Sequence, residues 1–116
     1  MMTLYGLAKC STCLKACAWL DAQHVKYVLI DYRDHPIAPV QLIHWSKELG
    51  GWEKLINRAS MTWRNLTETE KVLSDDHEWV KLIARYPALI RRPLTHWPNG
   101  SVTVGFNEKR FAAAIV

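Results

Sequence analysis

The sequence predicts an α/β domain in which a four-stranded mixed sheet is covered by helices. Three observations carry that prediction. A β-prone run, a loop, a helix-spaced run and a second β-prone run follow one another at the start. Two short β-rich runs flank an Asn-Gly turn near the end, with a helical segment behind them. Between these parts lies a stretch whose apolar residues recur at helical spacing. The expected order is therefore β-α-β, helices, then β-β-α.

Each element has its own local signal. Thr3, Leu4 and Tyr5 form the first β-prone run, ended by Gly6. Leu14, Cys17, Ala18 and Leu20 then carry helical spacing. Val25 to Ile30, "VKYVLI", is β-branched and aromatic and precedes the turn-rich "DYRDHPIAP". It reads as a second strand, parallel to the first through a right-handed crossover.

Residues 39–86 read as a helical insertion within one domain spanning residues 1–116. Val40, Ile43 and His44 are helix-spaced, as are Trp52, Leu55 and Ile56. Thr67 with Glu70 predicts a capping box ahead of another short helix. Ser74 predicts the cap of a helix through Trp79, Leu82, Ile83 and Tyr86, stopped by Pro87. Trp45, Trp52, Trp63 and Trp79 are expected to pack these helices on the sheet, and the acidic run from Glu68 to Glu78 to form a solvated helix face. Beyond it, "LTHW" and "VTVGF" flank "PNGS", a strong hairpin signal. Asn107 to Ile115 predicts the closing helix.

Composition narrows the class of function. The 116 residues are 49% hydrophobic and 22% charged, as in an ordinary globular domain. The start of the chain lacks a basic region followed by an apolar run. Nowhere do roughly 18 apolar residues run uninterrupted, so neither export nor membrane spanning is expected and the chain reads as cytoplasmic. A formal charge of +4 favours anionic small molecules or acidic partners. The basic residues are scattered, however, so no direct nucleic-acid surface is expected.

All three cysteines lie in "KCSTCLKAC", Lys9 to Cys17. In a reducing compartment a Cys-x-x-Cys is more often catalytic or metal-binding than a structural staple. A metal site is not expected, because there is no second Cys-x-x-Cys and His24, His35, His44, His77 and His96 are dispersed. Cys10 precedes a helix, where unpaired N–H groups and the positive end of the helix dipole stabilise a thiolate, and Lys9 pushes the same way. Cys13 is one turn on, within disulfide reach of Cys10, with a buried packing role as the alternative. Cys17 lies about two turns, or roughly 10 Å, along the helix and reads as a core residue.

Four segments, "TLYGLAKCSTCLKACAWLDAQHVKYVLIDYR", "LINRASMTWRNL", "IRRPL" and "VTVGF", resemble in order and spacing the arsenate reductase (ArsC) family of thioredoxin-like proteins. That family includes the YffB-like proteins and the redox-sensing regulators called Spx. The resemblance implies a thioredoxin-like fold with Cys10 as nucleophile. It also implies that Arg92 faces the cysteine loop, with a cis bond to Pro93. Arg58, and Arg64 in the same motif, correspond to a second anion-binding arginine region of the family. A guanidinium there would hold a carboxylate or oxyanion in a planar fork and help keep the sulfur ionised.

One position departs from the arsenate reductases. They carry a third arginine after the Val-Gly of the last strand, where this chain has Val104-Gly105-Phe106-Asn107. The expected activity is therefore that of the YffB-like branch: a glutathione-dependent thiol-disulfide oxidoreductase, with no bound cofactor and glutathione as co-substrate. Cys10 attacks a disulfide and is released by glutathione or by Cys13. The alternative is an Spx-like regulator whose Cys10–Cys13 switch alters binding to RNA polymerase. Arsenate reduction, coupled to glutathione and glutaredoxin, is third.

Overall fold

The computed structural model describes residues 2–115. The contacts divide the chain into two compact units, one made of the chain up to His35 and from Arg92 onward, the other of Pro36–Arg91.

The first unit holds the sheet. Its strands β1 (Met2–Gly6), β2 (Tyr27–Asp31), β3 (Leu94–His96) and β4 (Val102–Val104) lie in the order β2-β1-β3-β4. β1 pairs parallel with β2, Leu4 opposite Leu29, and antiparallel with β3, Leu4 opposite Thr95; β3 and β4 are antiparallel. With helices α1 (Ser11–Ala22) and α6 (Glu108–Ile115), this is the thioredoxin-like β-α-β and β-β-α arrangement that the sequence predicts. β1 alternates buried and half-buried residues, as a strand with one face on the core must. Met2, Leu4, Ala16, Leu20, Trp97 and Phe111 form the core. Leu4 and Leu20 are fully enclosed, each contributing about 1.5–3 kcal/mol by burial. Phe111 fixes α6 through edge-to-face contacts with Trp97 and Phe106, both with centroids 4.9 Å apart.

β2 starts two residues later than its β-branched run suggests. His24 adopts a left-handed conformation (φ 58°) and the Val25 N–H donates to the Leu20 carbonyl, so these residues are used to reverse the chain after α1. The hairpin forms around Gly100 (φ 91°), with the Trp97 N–H donating to the Ser101 carbonyl. The Asn107 side chain caps α6 by accepting from the Arg110 N–H.

The second unit is the helical insertion and is wider than 39–86. It contains α2 (Pro39–Leu49), the single turns α3 (Trp52–Leu55) and α4 (Met61–Arg64), α5 (Asp76–Arg85) and a 3₁₀ turn at Pro87–Leu89. Its extension to Arg91 has a clear cause. Ile90 forms an isolated bridge with Ile56, and the backbone N–H groups of Asn57 and Arg91 donate to Leu89 and Leu55. The same bridge draws Ile56 into an extended conformation, so the helix expected through Trp52, Leu55 and Ile56 is only one turn long.

Two further expectations need correction here. The Thr67–Glu70 box forms reciprocally, at 2.9 and 3.1 Å, yet no helix follows it. The Glu70 carboxylate is also held by the Tyr86 hydroxyl at 2.9 Å, which ties the turn to the end of α5. The cap of α5 is Asp75 rather than Ser74: Asp75 Oδ1 accepts from the Glu78 N–H, and the Glu78 carboxylate accepts from the Ser74 N–H. The acidic run is thus split between a turn and the first turn of α5, where Asp76 and Glu78 complement the helix dipole. Trp52, Trp79 and Trp63 stack in a ladder, centroids 5.9 and 6.1 Å apart and planes within 10°. The Trp52 indole N–H reaches Asp76 at 2.8 Å, while Trp45 is buried.

Candidate active site

The site grows out of the end of β1. In a parallel pair the carboxyl ends of both strands open on the same side, so the loop after β1 and the residues after β2 meet. The link is explicit: the Asp31 carboxylate accepts the Ala8 N–H at 3.0 Å and the Arg33 N–H at 2.9 Å. Those two backbone donors hold Asp31 below the usual carboxylate range. They also pin the loop that presents Cys10.

Cys10 is the N-cap residue of α1, in extended conformation (φ −82°, ψ 124°), with its carbonyl accepting the first helical hydrogen bond from Leu14. No oxygen side chain caps this helix. Burial alone would raise the Cys10 pKa. The N–H groups of Cys13 and Thr12, the Arg92 guanidinium and the Cys13 thiol all act on the sulfur and leave its pKa below the ordinary value of 9.0. The helix terminus therefore supplies its unpaired donors to a sulfur where a serine or aspartate oxygen would usually sit.

Cys13 has the opposite environment. Its side chain is fully enclosed, and burial, with the neighbouring Cys10, pushes its pKa up to about 11. Gly6 faces it so closely that a Cβ at that position would collide with the Cys13 sulfur. Cys17 packs against the core cluster, and burial raises its pKa as well. All three cysteines are free thiols.

Arg92 begins the second segment of the sheet unit, two residues ahead of β3, and its bond to Pro93 is cis. Its half-buried guanidinium bonds to Cys10, and its Nη1 lies 3.5 Å from the hydroxyl of Tyr32. Around these groups is a pocket of about 480 Å³, lined by Lys9, Cys10, Asp31, Arg33, Asp34 and Arg92 among others. Arg58 and Arg64 belong to the Pro36–Arg91 unit. Arg58 is exposed, its guanidinium 5.7 Å above the Trp63 ring. Arg64 donates to the Ala59 carbonyl at 2.9 Å and so closes the turn of α4. The third arginine's place after Gly105 is held by Phe106, whose ring packs on Phe111 and Trp19.

Sequence reading did not single out Tyr32, Asp31, Arg33 or Asp34. The signal was present in "DYRD", because polar residues at the carboxyl end of a strand parallel to β1 must flank the loop after β1.

A model of the ArsC family matches residues 5–114. The chain belongs to the ArsC family. The solved structure of a YffB protein superposes with a TM-score of 0.90 at 35% identity and covers all of both chains. A protein of Haemophilus influenzae whose role is uncharacterized is 36% identical over 98% of each chain. The global transcriptional regulator Spx of Streptococcus pneumoniae is 31% identical, over 97% of this chain and 84% of its own length. This ArsC-family protein is thus related to Spx regulators. The solved structure of a possible arsenate reductase from Streptococcus mutans superposes with a TM-score of 0.77 at 30% identity, covering 97% of this chain and 98% of that one. None of the described helices of this chain is long and apolar enough to cross a membrane.

Proposed function

We propose that this ArsC-family protein is a thiol–disulfide oxidoreductase that uses the Cys10 thiolate, with glutathione as co-substrate. The observation that carries this reading is Cys10 at the N-cap of α1 with Arg92 on its sulfur, an arrangement that favours the ionised thiol. The thiolate attacks one sulfur of a disulfide. The old S–S bond breaks, its electron pair leaves with the departing thiolate, and Cys10 is left in a mixed disulfide. A second thiol must then attack that mixed disulfide. Burial pushes the Cys13 thiol up to about 11, which leaves it a weak nucleophile near neutral pH, so glutathione is the better resolving thiol. Arg92 holds a substrate carboxylate beside the sulfur.

The test is intact-mass analysis of the reduced protein treated with oxidised glutathione. One glutathione adduct on Cys10, removed by free glutathione and missing from Cys10→Ser, is the expected result. Exchange activity retained by Cys10→Ser would remove the mechanism.

A second reading is a Cys10–Cys13 redox switch that governs binding to RNA polymerase, as in an Spx-like regulator. It is favoured by the Cys13 thiol bonding to Cys10 and by the 31% identity to Spx. Loss of two hydrogens with a Cys10–Cys13 bond, together with polymerase capture by the oxidised form alone, would select it. Arsenate reduction is less favoured, because Phe106 packs on aromatic neighbours where a third anion-binding arginine would stand.

A further inference from the structure

We propose that the Cys10 pocket selects a zwitterionic disulfide, one whose halves carry both an ammonium and a carboxylate, and that Asp34 receives the ammonium. The proposal rests on the thiol–disulfide reading above and adds the chemical class of disulfide that enters.

The observation is the pocket's charge pattern. Lys9, Arg33 and Arg92 supply three cations to its wall, and Asp31, Asp34 and the Cys10 thiolate supply three anions. The wall therefore has both signs and no net charge when Cys10 is ionised. These groups are not equally available. Both Asp31 oxygens are taken by the backbone N–H groups of Ala8 and Arg33. Arg92 is engaged with Cys10 and Tyr32.

Asp34 differs from both. It is exposed, and among the described residues its carboxylate makes no hydrogen bond or ion pair. Its backbone is nevertheless held, because the Asp34 N–H donates to the Asp31 carbonyl at 3.2 Å in the turn directly after β2. The result is an uncommitted carboxylate on a fixed turn, in the same pocket as the reactive sulfur and the arginines.

A ligand with negative charge alone meets Asp31, Asp34 and the thiolate as like charges. One with positive charge alone meets Lys9, Arg33 and Arg92. An amino-acid thiol in disulfide form satisfies both sets: its carboxylate goes to the arginine side and its ammonium to Asp34. Exchange then proceeds as above. The ligand S–S bond breaks, a Cys10–sulfur bond forms, and the departing thiolate takes its electron pair and then a proton from solvent.

The test uses four small symmetrical disulfides on the full chain: cystine, cystamine, dithiodiglycolate and bis(2-hydroxyethyl) disulfide. Each rate of adduct formation on Cys10 is divided by the rate of the same disulfide with N-acetylcysteine, which removes intrinsic leaving-group differences. The expected result is a higher normalised rate for cystine than for the other three. Asp34→Asn should lower the cystine to bis(2-hydroxyethyl) disulfide ratio by about twofold to fivefold, the range for an exposed charged contact. Asp34→Lys should turn the preference toward dithiodiglycolate. A cystine ratio unchanged in Asp34→Asn, or no cystine preference in the wild type, would overturn the proposal while leaving the oxidoreductase reading intact. Adducts with none of the four would overturn the proposal, and the oxidoreductase reading falls with it only when oxidised glutathione also leaves Cys10 unmodified.

Discussion

The Tyr32 hydroxyl stands 3.5 Å from Nη1 of Arg92, and the same guanidinium bonds to the Cys10 sulfur. Tyr32 is almost fully enclosed, and its N–H donates to the Gly6 carbonyl, next to the end of β1. A buried ring thus gives a long, flexible arginine a fixed partner, so that less side-chain freedom is lost when Arg92 meets Cys10. Tyr32 is a positioning residue; it acts on the sulfur through Arg92.

Tyr32→Phe should therefore raise the Cys10 pKa toward its ordinary value and slow its alkylation near neutral pH by about threefold to tenfold. Iodoacetamide rates across pH give the titration directly. A purely structural role would lower the melting temperature and leave that titration where it was.

The pH dependence of stability has a sign that follows from Cys13. Its folded pKa is raised to about 11 from 9.0. The unfolded chain therefore releases this proton first, and the stabilisation is complete below pH 9 and lost as pH rises toward 11. The loss is on the order of 2 kcal/mol. Cys10, with a lowered pKa, works in the other direction: its contribution is present above pH 9 and disappears as pH falls through its folded value. Urea unfolding at pH 8 and 10.5 should show a decline in the wild type that is clearly smaller in Cys13→Ala.

Close contact between Gly6 and the Cys13 sulfur predicts that Gly6→Ala destabilises the fold by about 1–3 kcal/mol, the usual cost of overpacking. Combining it with Cys13→Ala should recover part of that loss. A double-mutant cycle in urea checks this, and strictly additive costs would mean that the two residues do not press on one another.

Within the second unit the stacked Trp52, Trp79 and Trp63 rings make Trp79 the shared partner of two contacts. Trp79→Leu should cost about 1–3 kcal/mol, from lost ring stacking and reduced burial. Trp63→Leu removes one stacked ring pair and an exposed cation–π contact with Arg58, the latter contributing about 0.5–1 kcal/mol, and should cost less. Thermal unfolding of both variants compares them, and equal losses would contradict the ladder.

Local chemistry was sufficient for much of this protein. The β-branched and aromatic runs, the Asn-Gly hairpin and the placement of Cys10 one residue ahead of α1 are properties of neighbouring residues, so strands, turn and the cysteine at the helix N-cap could be read from the chain. Local signals also misled where a distant partner competed. Ile56 has helical spacing but is drawn out by Ile90, and the Thr67–Glu70 box closes a turn, tied to Tyr86 through the second oxygen of the same carboxylate, rather than opening a helix. The contrast between Cys10 and Cys13, three residues apart, was decided by tertiary structure: one sulfur meets the helix N–H groups and Arg92, the other is enclosed against Gly6. So was the pairing of Tyr32 with Arg92 across 60 residues. Charge, burial and hydrogen bonding of a side chain depend on which groups surround it in space, and for this site those groups come from the ends of three strands.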